Sequence, residues 1–174
     1  MKKKLITSVL FTFIIGFVFP QSMTFQLDGN AHIFSYNNLA KIYQMKKDGA
    51  IQRVSAEDLY DFYDEIYKQY GDNSLMKEQK QKEAQNTLIV IYGYVNLVRR
   101  SILDEYIVEL QVQRDWNIMN VSVVFPKRIS QAMINELMTI KKGDYFESIA
   151  MTRTTSAYVD VPVWNSSGIY RTEP

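Results

Sequence analysis

From Thr87 to Val98 the chain reads Thr-Leu-Ile-Val-Ile-Tyr-Gly-Tyr-Val-Asn-Leu-Val, apolar or aromatic at nearly every position. Alternate side chains of a strand point to opposite faces, so this stretch is apolar on both faces and does not suit a sheet with one wet side. Gly93 within it marks a place where the strand bends sharply or lets another backbone approach. Two further runs, Glu105 to Gln113 and Ile118 to Phe125, alternate with period two and read as half-buried antiparallel strands, with Asp115 and Asn117 flanking Trp116 between them. Pro126 lacks an N–H for a ladder and stops the third strand. Ile129, Met133, Leu137 and Ile140 then recur at helical spacing, and Lys141-Lys142-Gly143-Asp144 supplies a left-handed glycine to end that helix. Tyr145 to Arg153 and Tyr158 to Trp164 read as two more strands.

Strand, strand, strand, helix, strand, strand is the order of an OB-fold, a five-stranded Greek-key barrel. The expected architecture is therefore mainly β with helices: an OB-fold barrel over residues 87–165, preceded by an amphipathic helix. Closing such a barrel needs a bend along its long strand, so Gly93 is expected to refuse a side chain.

Ahead of this lies an N-terminal segment of a different kind. Lys2, Lys3 and Lys4 precede an apolar run from Leu5 to Phe19, broken by Pro20-Gln21-Ser22. That run is shorter than the roughly 20 residues that span a bilayer, and residues 1–22 read as a signal peptide with cleavage near Ser22. The alternative is an uncleaved anchor holding an envelope protein at the membrane. The chain has no cysteine, so neither an acylated N-terminal cysteine nor a disulfide is available, and the core must hold the fold alone. Without the three lysines the chain keeps 17 basic residues (20 less 3) against 19 acidic, a formal charge of −2. Such a domain has little electrostatic reason to bind polyanions.

Residues 23–54 form an extension in which Asp28-Gly29-Asn30 reads as a turn and Asn38 to Lys47 as a short helix closed by Gly49, with Leu39, Ile42 and Tyr43 as its buried stripe. His32 is the only histidine and reads as a surface or turn residue; no second histidine or cysteine exists to share a metal with it. Residues 55–86 form a helical lead-in. Ser55-Ala56-Glu57-Asp58 has the shape of a capping box, and Leu59, Phe62, Tyr63, Ile66, Tyr67 and Tyr70 follow on one stripe that is expected to pack on the barrel. Leu75 to Gln85 is a polar helical run with a solvated face, and residues 166–174 are a tail.

The signal, the opening Ser55-Ala56-Glu57-Asp58-Leu59-Tyr60 with Tyr63 following, the strand Leu88-x-Val90-x-x-Gly93-x-Val95 and the late Ile140-Lys141-Lys142-Gly143-Asp144 together resemble the tRNA-anticodon-like OB-fold family of exported bacterial proteins, over roughly residues 54–155. The region from Gly71 to Asn86 is longer and more charged than that family's pattern, and the cysteines some members carry are missing. The resemblance implies an exported OB domain and brings no catalytic residues.

OB-folds bind through the outer face of strands two and three and the adjoining loops. With Tyr106, Val108, Leu110 and Val112 inward, the outward residues of strand two are Ile107, Glu109, Gln111 and Gln113. With Met119, Val121, Val123 and Phe125 inward, those of strand three are Ile118, Asn120, Ser122 and Val124. That face is polar and without stacking rings, unlike a single-strand binder. The candidate ligand residues are Glu109, Gln111, Asn120 and Ser122 on it, with Arg99, Arg100, Lys127 and Arg128 in the flanking loops. No serine-histidine or cysteine-histidine set, phosphate-binding glycine loop or metal-ligand spacing is present, so neither catalysis nor a cofactor is expected. Two functional classes follow. One is a non-catalytic binding module of the periplasm or cell surface for a protein partner, a small ligand or an envelope glycan. The other is an exported oligonucleotide binder, which requires Arg99, Arg100, Lys127 and Arg128 to converge.

Overall fold

The computed structural model of the chain describes residues 23–27, 30–34, 39–114, 117–127, 129–153 and 158–161. The signal segment 1–22, the turn residues Asp28 and Gly29, the pair Asp115 and Trp116, Arg128, the far end of the last expected strand to Trp164, and the tail 166–174 lie outside them.

Strands β1 (Met23–Leu27) and β2 (Asn30–Phe34) pair antiparallel, with Leu27 opposite Asn30, and place His32 opposite Phe25 rather than in a turn. Helix α1 (Leu39–Lys47) and the short strand β3 (Arg53–Ser55) follow. Helix α2 (Ala56–Tyr70) starts at Ser55, whose side chain accepts from the Asp58 N–H at 2.9 Å and donates to the Asp58 carboxylate at 2.7 Å. Half of the expected box is there: Ser55 caps the helix, but the Asp58 carboxylate takes the Ser55 hydroxyl where a capping box would take its backbone N–H. Helix α3 (Ser74–Ala84) has no buried residue, as its polar composition requires.

The remaining elements are β4 (Leu88–Arg100), β5 (Tyr106–Arg114), β6 (Asn117–Phe125), α4 (Gln131–Thr139), β7 (Tyr145–Thr152) and β8 (Tyr158–Asp160). They form a mixed helix and β fold around a six-stranded sheet, in the order β3-β4-β5-β6-β8-β7, with β7 pairing back onto β4 in a ring of hydrogen bonds. All the pairings are antiparallel except β6 with β8 and β3 with β4. At 13 residues β4 is long enough to serve two neighbours: Leu88 to Tyr94 pairs with β7, and Val95 to Arg100 with β5. A bulge at Asn96 interrupts the β5 pairing between Val95 and Leu97.

The double-sided apolarity of β4 now has a cause. Ile89, Ile91 and Val95 point into the ring with Val108, Leu110, Val112, Val121, Val123, Phe125, Phe146 and Ala150, and α4 adds Met133 and Leu137 to this core. Leu88 and Val90 point the other way. With Ile149 and Met151 of β7 they form a second cluster, covered by Ile42 of α1 and by Ile51. At the return from α4, Gly143 has a φ of 88° and donates its N–H to the Val95 carbonyl at 2.7 Å, the left-handed stop the sequence indicated.

Helix α2 packs on the ring through Ala56, Leu59 and Tyr63, and Ile66, also buried, lies toward α3. Phe62, placed on that stripe by spacing alone, is instead 44% exposed. At 100° per residue it falls about 60° to one side of Leu59, whereas Ile66 and Tyr63 lie within about 40° of it. Phe62 faces a shallow groove shared with Ile66, Tyr70 and the α3 residues Lys80, Glu83 and Ala84. The Tyr63 hydroxyl donates to the Arg153 carbonyl at 2.6 Å, and burial pushes its pKa up to about 12. Leu59→Ala is expected to cost about 2–5 kcal/mol, and Phe62→Ala about 1 kcal/mol or less. Urea unfolding of the two variants distinguishes this packing from one through Phe62, which reverses the order.

Gly93 is intolerant for a more specific reason than a bend. A Cβ placed there lies 3.2 Å from the Ala56 Cβ and 3.5 Å from the Leu110 Cβ, so the missing side chain is what lets the first turn of α2 lie against β4. Gly93→Val is expected to destabilise the domain by about 1–3 kcal/mol through overpacking. In thermal melts Ala56→Gly should recover part of that loss; a Gly93→Val melt that matches the parent rejects the contact.

Candidate functional site: a tyrosine cleft beside Gly93

On the edge of β4 away from β7, β3 covers Val90 to Tyr92 in parallel and β5 takes over at Val95. Between them opens a cleft of about 390 Å³. Tyr92, Tyr94 and Tyr145 line its sides, Gly93 and Ala56 its base, and Ser55, Glu57 and Gln111 its rim. The local cause is plain in the backbone: α2 starts where β3 ends, and its first residue occupies the space over Gly93 that a strand would otherwise fill.

The rings are held in place. The Arg53 guanidinium lies 4.7 Å from the centre of the Tyr92 ring, a cation–π contact, and its Nη2 donates to the Tyr145 hydroxyl at 3.0 Å and to Glu147 at 2.6 Å. Tyr145 in turn donates to Glu147 at 3.2 Å and meets Tyr94 edge to face at 6.0 Å. Lys46, from α1, pairs with the other Glu147 oxygen at 2.7 Å. Glu147 thus ties α1 and β3 to β7. Burial pushes its carboxyl up, but the hydrogen bonds from Lys46 and Arg53 outweigh that and hold it below the usual carboxylate value. Burial first, and Glu147 second, push the Tyr145 phenol up to about 12, so it is neutral at ordinary pH. The Glu147 hydrogen bond raises Arg53 above its ordinary value.

The residues singled out by sequence go to several places. Gln111 lines the cleft. Arg99, Glu109 and Asn120 come together on the outer face: Arg99 Nε donates to Glu109 at 2.6 Å, Asn120 Nδ2 to the other Glu109 oxygen at 3.2 Å, and Asn96 of the bulge to Asn120 at 3.1 Å. Arg100 turns to Asp104 at 3.5 Å and lies over Tyr106. Lys127 is exposed beyond the end of β6, and Arg128 lies outside the described residues. Ser122 is only 6% exposed, which corrects its place among the accessible ligand residues. Its neighbour across the parallel pairing of β6 with β8 is Tyr158.

Alternation alone also misjudged that face elsewhere. Ile107 and Val124, expected outward, are buried, whereas Met119, expected inward, is exposed at the strand end. Ile107 and Val124 stand opposite each other, and Arg99, opposite Ile107, reaches Glu109 along the same face. The cleft residues Tyr92, Tyr94, Tyr145, Arg53 and Glu147 were not among the candidates. Their one sequence signal was Tyr92-Gly93-Tyr94, a bare glycine between two rings.

Among the described residues no group of three or more His, Cys, Asp or Glu side chains is arranged to hold a metal. In comparisons with protein-family models and with curated proteins, the sequence matches none.

A depressed folded-state pKa stabilises above the unfolded value, and that contribution is lost as pH falls through the folded one. The Glu147 contribution is therefore complete above its ordinary value of 4.5 and fades in more acidic solution. Glu147→Gln is expected to lower stability at neutral pH and to flatten the acid limb of a urea-midpoint profile. A variant profile parallel to the parent's rejects this role.

Proposed function

We propose that the chain is an exported OB-fold binding module of the bacterial cell envelope, in the periplasm or at the cell surface, which performs no catalysis and takes its ligand in the tyrosine cleft. The fold part of this reading is supported by the connectivity. Five strands run β4-β5-β6-β8-β7 and back to β4, with the third and fifth parallel and α4 between the third and fourth, as in a Greek-key barrel of OB type. The resemblance to the tRNA-anticodon-like OB-fold family supports it too. Its motifs fall at the α2 cap, along β4 and at the turn before β7, three joints of the domain. Export is supported by Lys2 to Lys4 and the apolar run to Phe19.

One observation carries the binding reading: a preformed concavity in the size range of small-ligand sites, about 300–1,000 Å³, with aromatic walls and a few polar groups at its rim. The competing reading, an exported oligonucleotide binder, rests on Arg99, Arg100, Lys127 and Arg128. Arg99 is paired with Glu109 and Arg100 with Asp104, so part of the positive charge each offers a phosphate is already offset by a neighbouring carboxylate.

The two separate in a fluorescence-anisotropy titration of a labelled oligothymidylate, at low salt and near 150 mM. The expected result is a flat titration. Micromolar binding that weakens steeply with salt and is lost in Arg99→Ala/Arg100→Ala puts the oligonucleotide reading first.

A further inference from the structure

Resting on the cleft as the binding site, we infer that its ligand is a neutral sugar unit of a glycan, stacked on Tyr94 and hydrogen-bonded by Glu57 and Gln111. The charges around the cleft balance: Arg53 and Lys46 are positive, Glu147 and Glu57 negative. An anion meets Glu57 at the rim and finds Arg53 already committed to Glu147. A cation finds the Tyr92 ring already carrying the Arg53 guanidinium. A peptide adding as a strand finds no edge, because β3 holds β4 as far as Tyr92 and β5 holds it from Val95.

A sugar ring meets each feature of the cleft. Its C–H faces are apolar enough to lie on an aromatic ring, and its hydroxyls need groups that both donate and accept around the rim. Tyr94 is 52% exposed and set edge to face against Tyr145, whose hydroxyl is fixed by Arg53 and Glu147; a ring held in this way loses little freedom on binding. Gln111 supplies an amide that both donates and accepts and Glu57 a carboxylate that accepts, while the Ser55 hydroxyl, its proton given to Asp58, keeps only one lone pair.

The test is an amide-resolved NMR titration of the whole exported chain with maltotriose, cellotriose and triacetylchitotriose, alongside AMP, benzyltrimethylammonium and a trialanine peptide. At least one trisaccharide is expected to move the Ala56, Gly93 and Gln111 amides saturably in the millimolar range. Tyr94→Ala should weaken that binding about tenfold, Tyr94→Phe should retain it, and Phe62→Ala, outside the cleft, should leave it unchanged. Trisaccharides that leave those amides unmoved, or that bind Tyr94→Ala as well as the parent, overturn the inference. If AMP, the ammonium or the peptide moves them while the sugars do not, the sugar assignment falls and the cleft remains the binding site. If no probe moves them, both fall.

Discussion

Strand β4 cannot satisfy both of its edges with one neighbour on each side, and much of the molecule follows from how it divides them. One edge belongs to β7 as far as Tyr94, and the other passes from β3 to β5 across Gly93 and Tyr94. The handover leaves a gap in the sheet, and the first turn of α2 fills its inner part through the contact between Ala56 and the bare backbone of Gly93. What remains open on the outside is the tyrosine cleft. A side chain at position 93 would lift the helix off the strand, so the packing of α2 and the shape of the cleft depend on the same absent atoms.

A second tie holds the parts around that gap. Glu147 on β7 receives Lys46 from α1 and Arg53 from β3, and Arg53 also fixes Tyr92 and Tyr145. Ion pairs at a surface contribute little to stability, but this carboxylate is largely shielded, with its side chain 12% exposed, and it fixes orientation as much as energy. The aromatic walls are rigid because a charged network outside the hydrophobic core positions them.

Most of the strand and helix order was legible in the sequence, because period-two alternation in β5 and β6, the Ser55 cap and the Lys142-Gly143 turn are local signals that agree with the final packing. The strands β1 and β2 were not, since only the turn residues between them carry a strong local preference. Phe62 shows the limit of stripe counting: a helix buries an arc set by the curvature of what it lies on, and spacing places a residue on a face without saying where that arc ends. The outer face of β5 and β6 was misjudged at Ile107, Ser122 and Val124 for a related reason. Alternation gives a side chain's direction, but its exposure depends on neighbours that are distant in the chain. The cleft was least legible, because Tyr92, Tyr145, Arg53 and Glu147 become neighbours only when β3, β4 and β7 pair.

The cluster that joins Ile42 and Ile51 to Leu88, Val90, Ile149 and Met151 has a kinetic consequence. Its members are separated by up to about a hundred positions, and the ring closes only when the same β7 residues reach β4, so contacts of this span make folding slow. For a polypeptide threaded through a membrane N-terminus first, as the proposed export requires, α1 arrives on the far side before Leu88 and Val90, and its cluster is incomplete until Met151 has followed it. On such a route both clusters stay incomplete for most of the passage, and the last strands to emerge are the ones that complete them.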